Sequence, residues 1–300
     1  MLKEAWYITE RELRHFTRRR IQVITSFIQP VIWLAFFGYA ISSGITGALM
    51  GLTGGLGSQG SSSLLQIFVY VLPVDFFTKS MLSSLVSVRY IDFMATGIIA
   101  FTVLATAFMS GVSIIWDKRF GYFYKLLVAP IPRASIMLGK MMAATIRSLI
   151  QALVVITLAI LLGIKIYTGI IGIALTIPFM ILFALGLAGI SVAAGIRLSN
   201  VEGFFGIFQM ILLPLFFVSP AIAPLESMPG WLQNAARFNP LTYAVDAVRK
   251  SLLGGDFGPL YGNWAFMGIS GSLLYDFTVL SMIFIFMILI GAYLFRKSIT

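Results

Sequence analysis

Few residues in this chain could carry covalent chemistry. Its one histidine is His15, cysteine is absent, and eleven carboxylates are scattered along 300 residues. Without cysteine there are no disulfides, thiolate metal sites or cysteine nucleophiles. A single histidine in a run of charges cannot build a multi-histidine metal site and reads as solvated or headgroup-facing. No catalytic residue and no metal site are therefore expected. Two glycine patterns invite a nucleotide reading, and neither sustains it. Gly55-x-Gly57-x-x-Gly60, with Asp75 twenty residues after Gly55, has the dinucleotide spacing. That fingerprint needs a preceding strand and a helix N-terminus beneath the pyrophosphate, whereas these glycines lie in a Gly/Ser-rich loop, 44–63. Gly139-Lys140 is followed by Met141 and lacks the earlier glycine of a phosphate-binding loop. The chain is expected to bind no cofactor of its own.

Charged and aromatic residues crowd together at Trp116-Asp117-Lys118-Arg119-Phe120-Gly121-Tyr122-Phe123-Tyr124-Lys125, followed by a stretch ending Pro130-Ile131-Pro132-Arg133. Two readings are open. The segment is an ordinary juxtamembrane helix, or it is a docking element. In the second, Phe120, Tyr122 and Phe123 fill a pocket on another protein while Asp117 and Arg119 set orientation. Pro130 and Pro132 stop any helix formed there. A second group is Phe238-Asn239-Pro240-Leu241-Thr242-Tyr243-Ala244-Val245-Asp246-Ala247-Val248-Arg249-Lys250. Asn239-Pro240 marks a turn with proline opening a helix, and Asp246 and Arg249, three apart, are expected to pair. This group is either a surface cap or a re-entrant hairpin over the exit of a pathway, with Trp231 before it suited to an interfacial belt.

A membrane must position these groups. The chain is 59% hydrophobic and 11% charged, with a mean hydropathy of +0.97, and a soluble domain carries about 25% charge. At roughly 20 apolar residues per crossing, six spans fit, at about 21–43, 93–116, 141–163, 170–195, 203–223 and 272–295. The expectation is an all-α polytopic membrane protein, one transmembrane domain over 21–300. Residues 1–20 hold nine charges and lack the apolar core of a cleaved signal. Leu2, Trp6, Thr9, Leu13 and Phe16 share one helical face, so this segment is predicted to lie in the interface, anchored by Arg18-Arg19-Arg20. Residues 64–88 are apolar but interrupted by Pro73, Asp75 and Lys79. They are read as an amphipathic helix outside the membrane, because burying two charges costs about 2.5–3.5 kcal/mol each.

With six spans, 1–20, 117–140, 196–202 and 296–300 share one side and carry fourteen Lys and Arg, against six on the other side. The positive-inside rule then puts both termini in the cytosol, with 117–140 cytosolic and 224–271 outside. Because the net charge of +10 follows membrane orientation, nucleic acid is not an expected partner. Polar groups within spans are scarce: Gln29, Arg147, Gln151, Gln209 and Asp276, with Arg147 placed about a turn inside its span and able to snorkel. That is no proton relay. Small residues recur at Ala184/Ala188, Gly189/Ala193 and Ser191/Gly195, spacing that suits close helix packing within the subunit or across a dimer.

Residues 116–140, with Trp-Asp-Lys-Arg-Phe-Gly and then Leu-Leu-Val-Ala-Pro-Ile-Pro-Arg-Ala-Ser-Ile-Met-Leu-Gly-Lys, resemble the cytosolic loop of ABC type-2 exporter permeases, especially the daunorubicin-resistance permeases. Residues 238–249 resemble that family's second signature, before the last span. The resemblance implies a dimeric permease with two separate ATP-binding subunits carrying ATP and magnesium, a coupling helix in the first cytosolic loop and re-entrant helices before the sixth span. By the same resemblance Asp117, Arg119, Phe120 and Gly121 would touch the ATP-binding subunit, with Tyr122 and Lys125 beside them. Pro130, Arg133 and Lys140 would fix the start of the third span, and Asn239, Pro240, Tyr243, Asp246 and Arg249 would form an outer cap. The long aromatic segment 44–92 departs from a compact first outer loop. The expected function is the membrane subunit of an ATP-driven exporter of amphiphilic cargo, lipid or hydrophobic drug, in a prokaryotic plasma membrane. The alternatives are an ion or polysaccharide exporter, or a lipid-modifying membrane enzyme, which would need convergent His, Asp or Glu.

Overall fold

The computed structural model describes residues 2–18, 20–34, 90–223, 225, 228–254 and 273–297. Arg19, the end of the expected first span (35–43), the glycine loop, the 64–88 segment, residues 255–272 and the side chain of Asp276 lie outside the described residues. The described residues are helical throughout. In chain order they form α1 (Leu2–Arg18), α2 (Arg20–Ile32), α3 (Tyr90–Phe108), α4 (Ser110–Arg119), α5 (Tyr122–Val128), α6 (Arg133–Leu161), α7 (Gly169–Arg197), α8 (Val201–Val218), α9 (Gly230–Arg237), α10 (Pro240–Arg249) and α11 (Leu273–Lys297). Among the described residues five stretches are long and apolar enough to cross a bilayer: Asp92–Arg119, Arg133–Leu161, Gly169–Arg197, Val201–Val218 and Phe277–Phe295.

The third expected span starts eight residues early. The helix begins at Arg133, directly after Pro132, rather than at 141. Its first two turns are too polar to read as membrane-spanning, but Ser135 and Lys140 are buried there. Arg147 is consequently the fifteenth residue of a 29-residue helix, about 21 Å from its start and not one turn in.

The α3–α4 span is broken at Met109. Ser191 of α7 sits at the break, where its hydroxyl donates to the Phe108 carbonyl and accepts from the Gly111 N–H at 2.9 Å. A kink needs a group that inserts into the i→i−4 ladder, and here it is a serine from a neighbouring helix. A Cβ on Gly111 would run into the Ser191 carbonyl, and one on Gly195 into the Gly111 carbonyl. The small residues of α7 therefore pack within the subunit, where Ala184, Ala188, Gly189 and Ala193 are buried as well.

The N-terminal helix packs differently from its expected face. Ala5, Ile8, Thr9 and Glu12 are the buried residues of α1, set against α6, while Leu2 and Trp6 are exposed. A Cβ on Gly139 would meet the Ala5 carbonyl at 2.7 Å and the Ile8 Cβ at 2.8 Å. The glycine that failed as a phosphate loop is the point where α1 crosses α6.

At the opposite end of the bundle, beside the α6–α7 loop, α10 is buried along most of its length and packs on α3 and α11. Asn239 caps it, accepting from the Leu241 N–H at 2.9 Å while its amide donates to the Leu215 carbonyl of α8 at 2.6 Å, and Pro240 occupies the first turn. The expected Asp246–Arg249 pair does not form. Asp246 binds Lys250 at 2.9 Å instead, since i, i+4 brings those two onto one face with longer reach. Arg249, 1% exposed, points the other way. It donates to Thr96 Oγ1 (3.2 Å), to the Pro220 carbonyl (2.8 Å) and to the Phe93 carbonyl (3.4 Å), with its guanidinium 3.5 Å above the Phe93 ring. Tyr243 donates to the Arg237 carbonyl at 2.9 Å.

Candidate functional site

The charged loop between α4 and α6 divides into an inward and an outward set. Asp117 is inward and buried. It pairs with Lys140 and, at 3.2 Å, with Arg11. Lys140, also buried, binds Glu12 at 2.6 Å and donates to Ser113 at 3.2 Å. Arg11 lies 3.4 Å above the Tyr122 ring, and Thr9 donates to the Gly139 carbonyl at 3.0 Å. Five elements are thus tied at one node: α1, α4, α5 and α6 by these contacts, and α7 through Lys118, which donates to the carbonyls of Ile196 (2.6 Å) and Leu198 (3.0 Å) at its C-terminus. A cation there completes carbonyls that a helix end leaves open. Burial works to raise the Glu12 pKa, but Lys140, with Arg147 and Arg11 behind it, holds the carboxyl below its ordinary value.

The outward set is Arg119, Phe120, Tyr124, Lys125, Val128, Pro130 and Arg133, all exposed. Gly121 makes the turn between α4 and α5. It sits at φ 73°, in the left-handed region where glycine carries no Cβ penalty, after Phe120 and Gly121 donate back to Trp116 and Lys118. Phe120 is 72% exposed and stacks on Trp116 at 5.6 Å, with Arg119 on the same indole at 5.5 Å. Phe123, expected as an anchor beside Phe120, is only 4% exposed and belongs to the core. The short helix turns it inward and presents Tyr124 and Val128 in its place.

Two cavities run from this node into the bundle. The near one, about 320 Å³, is bordered by Arg11, Glu12, His15, Trp116, Tyr122 and Arg147. The inner one, about 350 Å³, lies among α2, α3, α6 and α8, with Gln29, Trp33, Thr106, Gln151, Phe208 and Gln209 in its wall. Phe16, Met109 and Arg147 line both. Gln151 accepts from Thr106 at 2.6 Å, and the Trp33, Phe101 and Phe216 rings close one side. Sequence reading found the glutamines and Arg147 but not Arg11 or Glu12, whose charges resemble those of any interfacial helix, and it turned Thr9 toward the membrane interface rather than α6. The 5/8/9/12 spacing was the available signal.

The sequence matches the model of the ABC-2 type transporter family over residues 3–253. It is similar to a putative transport permease, ycf38, of Cyanophora paradoxa, at 26% identity covering 99% of this chain and 89% of that protein. It is also similar to the daunorubicin resistance ABC transporter permease protein DrrB1 of Streptomyces coeruleorubidus, at 26% over 55% of this chain and 59% of that one. A probable multidrug ABC transporter permease of Escherichia coli, YbhR, matches at 26% over 51% and 41%. With helices suited to crossing a bilayer and a family match over most of its length, the chain belongs to the ABC-2 type transporter family as a multi-pass membrane permease, a kind of subunit that has no nucleotide-binding domain of its own.

Proposed function

We propose that this permease exports amphiphilic cargo, lipid or hydrophobic drug, using ATP and magnesium held by two copies of a separate ATP-binding cassette subunit. The inner cavity carries this reading. Its wall combines glutamine and threonine side chains with Trp, Phe and Leu, and among the described residues its only charged lining residue is Arg147. A polar head and an apolar body each find matching surface there, whereas an ion path through the membrane would need carboxylates or histidines. The names of the daunorubicin-resistance and multidrug relatives agree with such cargo. A permease dimer is part of this reading, as the family match suggests.

In this reading α2 with residues 35–43 makes a sixth span, both termini are cytosolic, and α9–α10 is a re-entrant pair near the outer face of a prokaryotic plasma membrane. The coupling surface is Arg119, Phe120, Tyr124, Lys125, Val128, Pro130 and Arg133, while Asp117, Tyr122 and Lys140 hold it to the bundle. Asn239, Pro240, Tyr243, Asp246 and Arg249 hold the outer pair in place. Reconstitution with the ATP-binding subunit in lipid vesicles tests the function. Amphiphiles should stimulate ATP hydrolysis and move outward, and stimulation by a polysaccharide or an inorganic ion instead would sink the reading.

A further inference from the structure

Arg147 stands in the wall common to both cavities. On a helix long and apolar enough to cross a bilayer, a cation is costly unless something answers its charge. The carboxylates nearby are already engaged: Glu12 by Lys140 and Arg11, Asp117 by the same two residues. That node has three cations for two carboxylates, and Arg147 is the third. Among the described residues it forms no ion pair. Its Nε is buried without a hydrogen-bond partner, and its guanidinium lies 5.9 Å from the Phe16 ring. Among the described residues the inner cavity beyond it has no acidic lining residue.

We propose that Arg147 is an anion receptor that selects amphiphiles with a negatively charged headgroup, phosphate or carboxylate. The headgroup binds the guanidinium through two parallel N–H···O contacts, a geometry this side chain favours with planar or tetrahedral oxyanions. The apolar body extends toward Trp33, Phe208 and Leu212. The proposal rests on the amphiphile reading above and adds the sign of the cargo's charge.

The test is equilibrium binding of fluorescent phosphatidic acid to the purified full-length permease in a neutral detergent. Phosphatidylcholine and a trimethylammonium lipid with the same chains and label serve as comparisons. The wild type should bind phosphatidic acid at least tenfold more tightly than either. Arg147→Gln should remove that preference and leave phosphatidylcholine binding unchanged. Arg147→Lys should keep part of it, and Lys297→Gln, which removes an exposed charge elsewhere, should keep all of it. Equal binding of the three lipids by the wild type overturns the proposal, whether or not Arg147→Gln folds. So does an unchanged preference in Arg147→Gln with an unaltered thermal midpoint. Displacement of the lipid by millimolar inorganic phosphate would identify a free-anion site and overturn the amphiphile assignment. Because no ATPase is present, export of amphiphiles without charge preference would leave the proposed function standing while this inference falls.

Discussion

Lys140 and Glu12, 128 residues apart in sequence, meet at 2.6 Å with both side chains buried. A contact of such span joins the N-terminal helix to the middle of the chain. Replacing Lys140 by methionine leaves two buried carboxylates to share the part-buried Arg11 alone, a loss of up to about 3–5 kcal/mol. Thermal unfolding of the purified permease should show that loss. The triple variant Lys140→Met, Glu12→Gln, Asp117→Asn should recover most of it.

The same node sets a pH dependence. Glu12 titrates below its ordinary 4.5 in the folded protein, so its stabilising contribution is present above that value and is lost as pH falls through the lower folded pKa. The thermal midpoint should drop as the pH is lowered below about 4.5, and Glu12→Gln should flatten that step. A slope unaffected by the substitution would assign the acid sensitivity to other carboxylates.

Phe120 and Phe123 should respond oppositely to truncation. Phe120→Ala removes an exposed ring and should leave stability within about 0.5 kcal/mol while weakening capture of the ATP-binding subunit roughly 30-fold, the cost of a lost aromatic anchor. Phe123→Ala empties a core position and should cost about 3–5 kcal/mol. Co-purification and thermal unfolding separate the two effects.

At the other end, Asp246 and Lys250 form the local ion pair, so exchanging Asp246 and Lys250 should restore the stability that Asp246→Lys loses. Arg249→Ala should be the more damaging single change. It leaves the Pro220 carbonyl without its Arg249 donor, at about 1–3 kcal/mol for a buried group left unpaired, and removes the guanidinium packed over the Phe93 ring. Thermal midpoints of the three variants decide the order.

The sequence was most readable where composition and period act alone. The apolar windows marked the helices α3–α4, α7, α8 and α11 to within a few residues, and α6 starts eight residues before its apolar window. Asn239-Pro240 marked the start of α10 because capping is a local interaction. Pairings between distant elements were not legible. Asp246 has two basic residues within a helical turn, and burial of Arg249 against Phe93 decides between them. Asp117 carries the same charge as any docking residue until Lys140 and Arg11 are seen beside it. Phe123 and Tyr124 differ by one position, and the rotation of a seven-residue helix that α4 and α6 hold at both ends determines which one faces outward.

The break at Met109 has a mechanical implication. Phe108 and Gly111 are served there by Ser191 rather than by their own helix, so α4 is not continuous with α3 as a rod. Met109 also borders both cavities. If the ATP-binding subunit docks at Phe120 and its neighbours as proposed, a torque there would turn α4 about this pivot, next to the residues that line both cavities. A small swing at the rim would therefore alter the bore at the place where Arg147 stands.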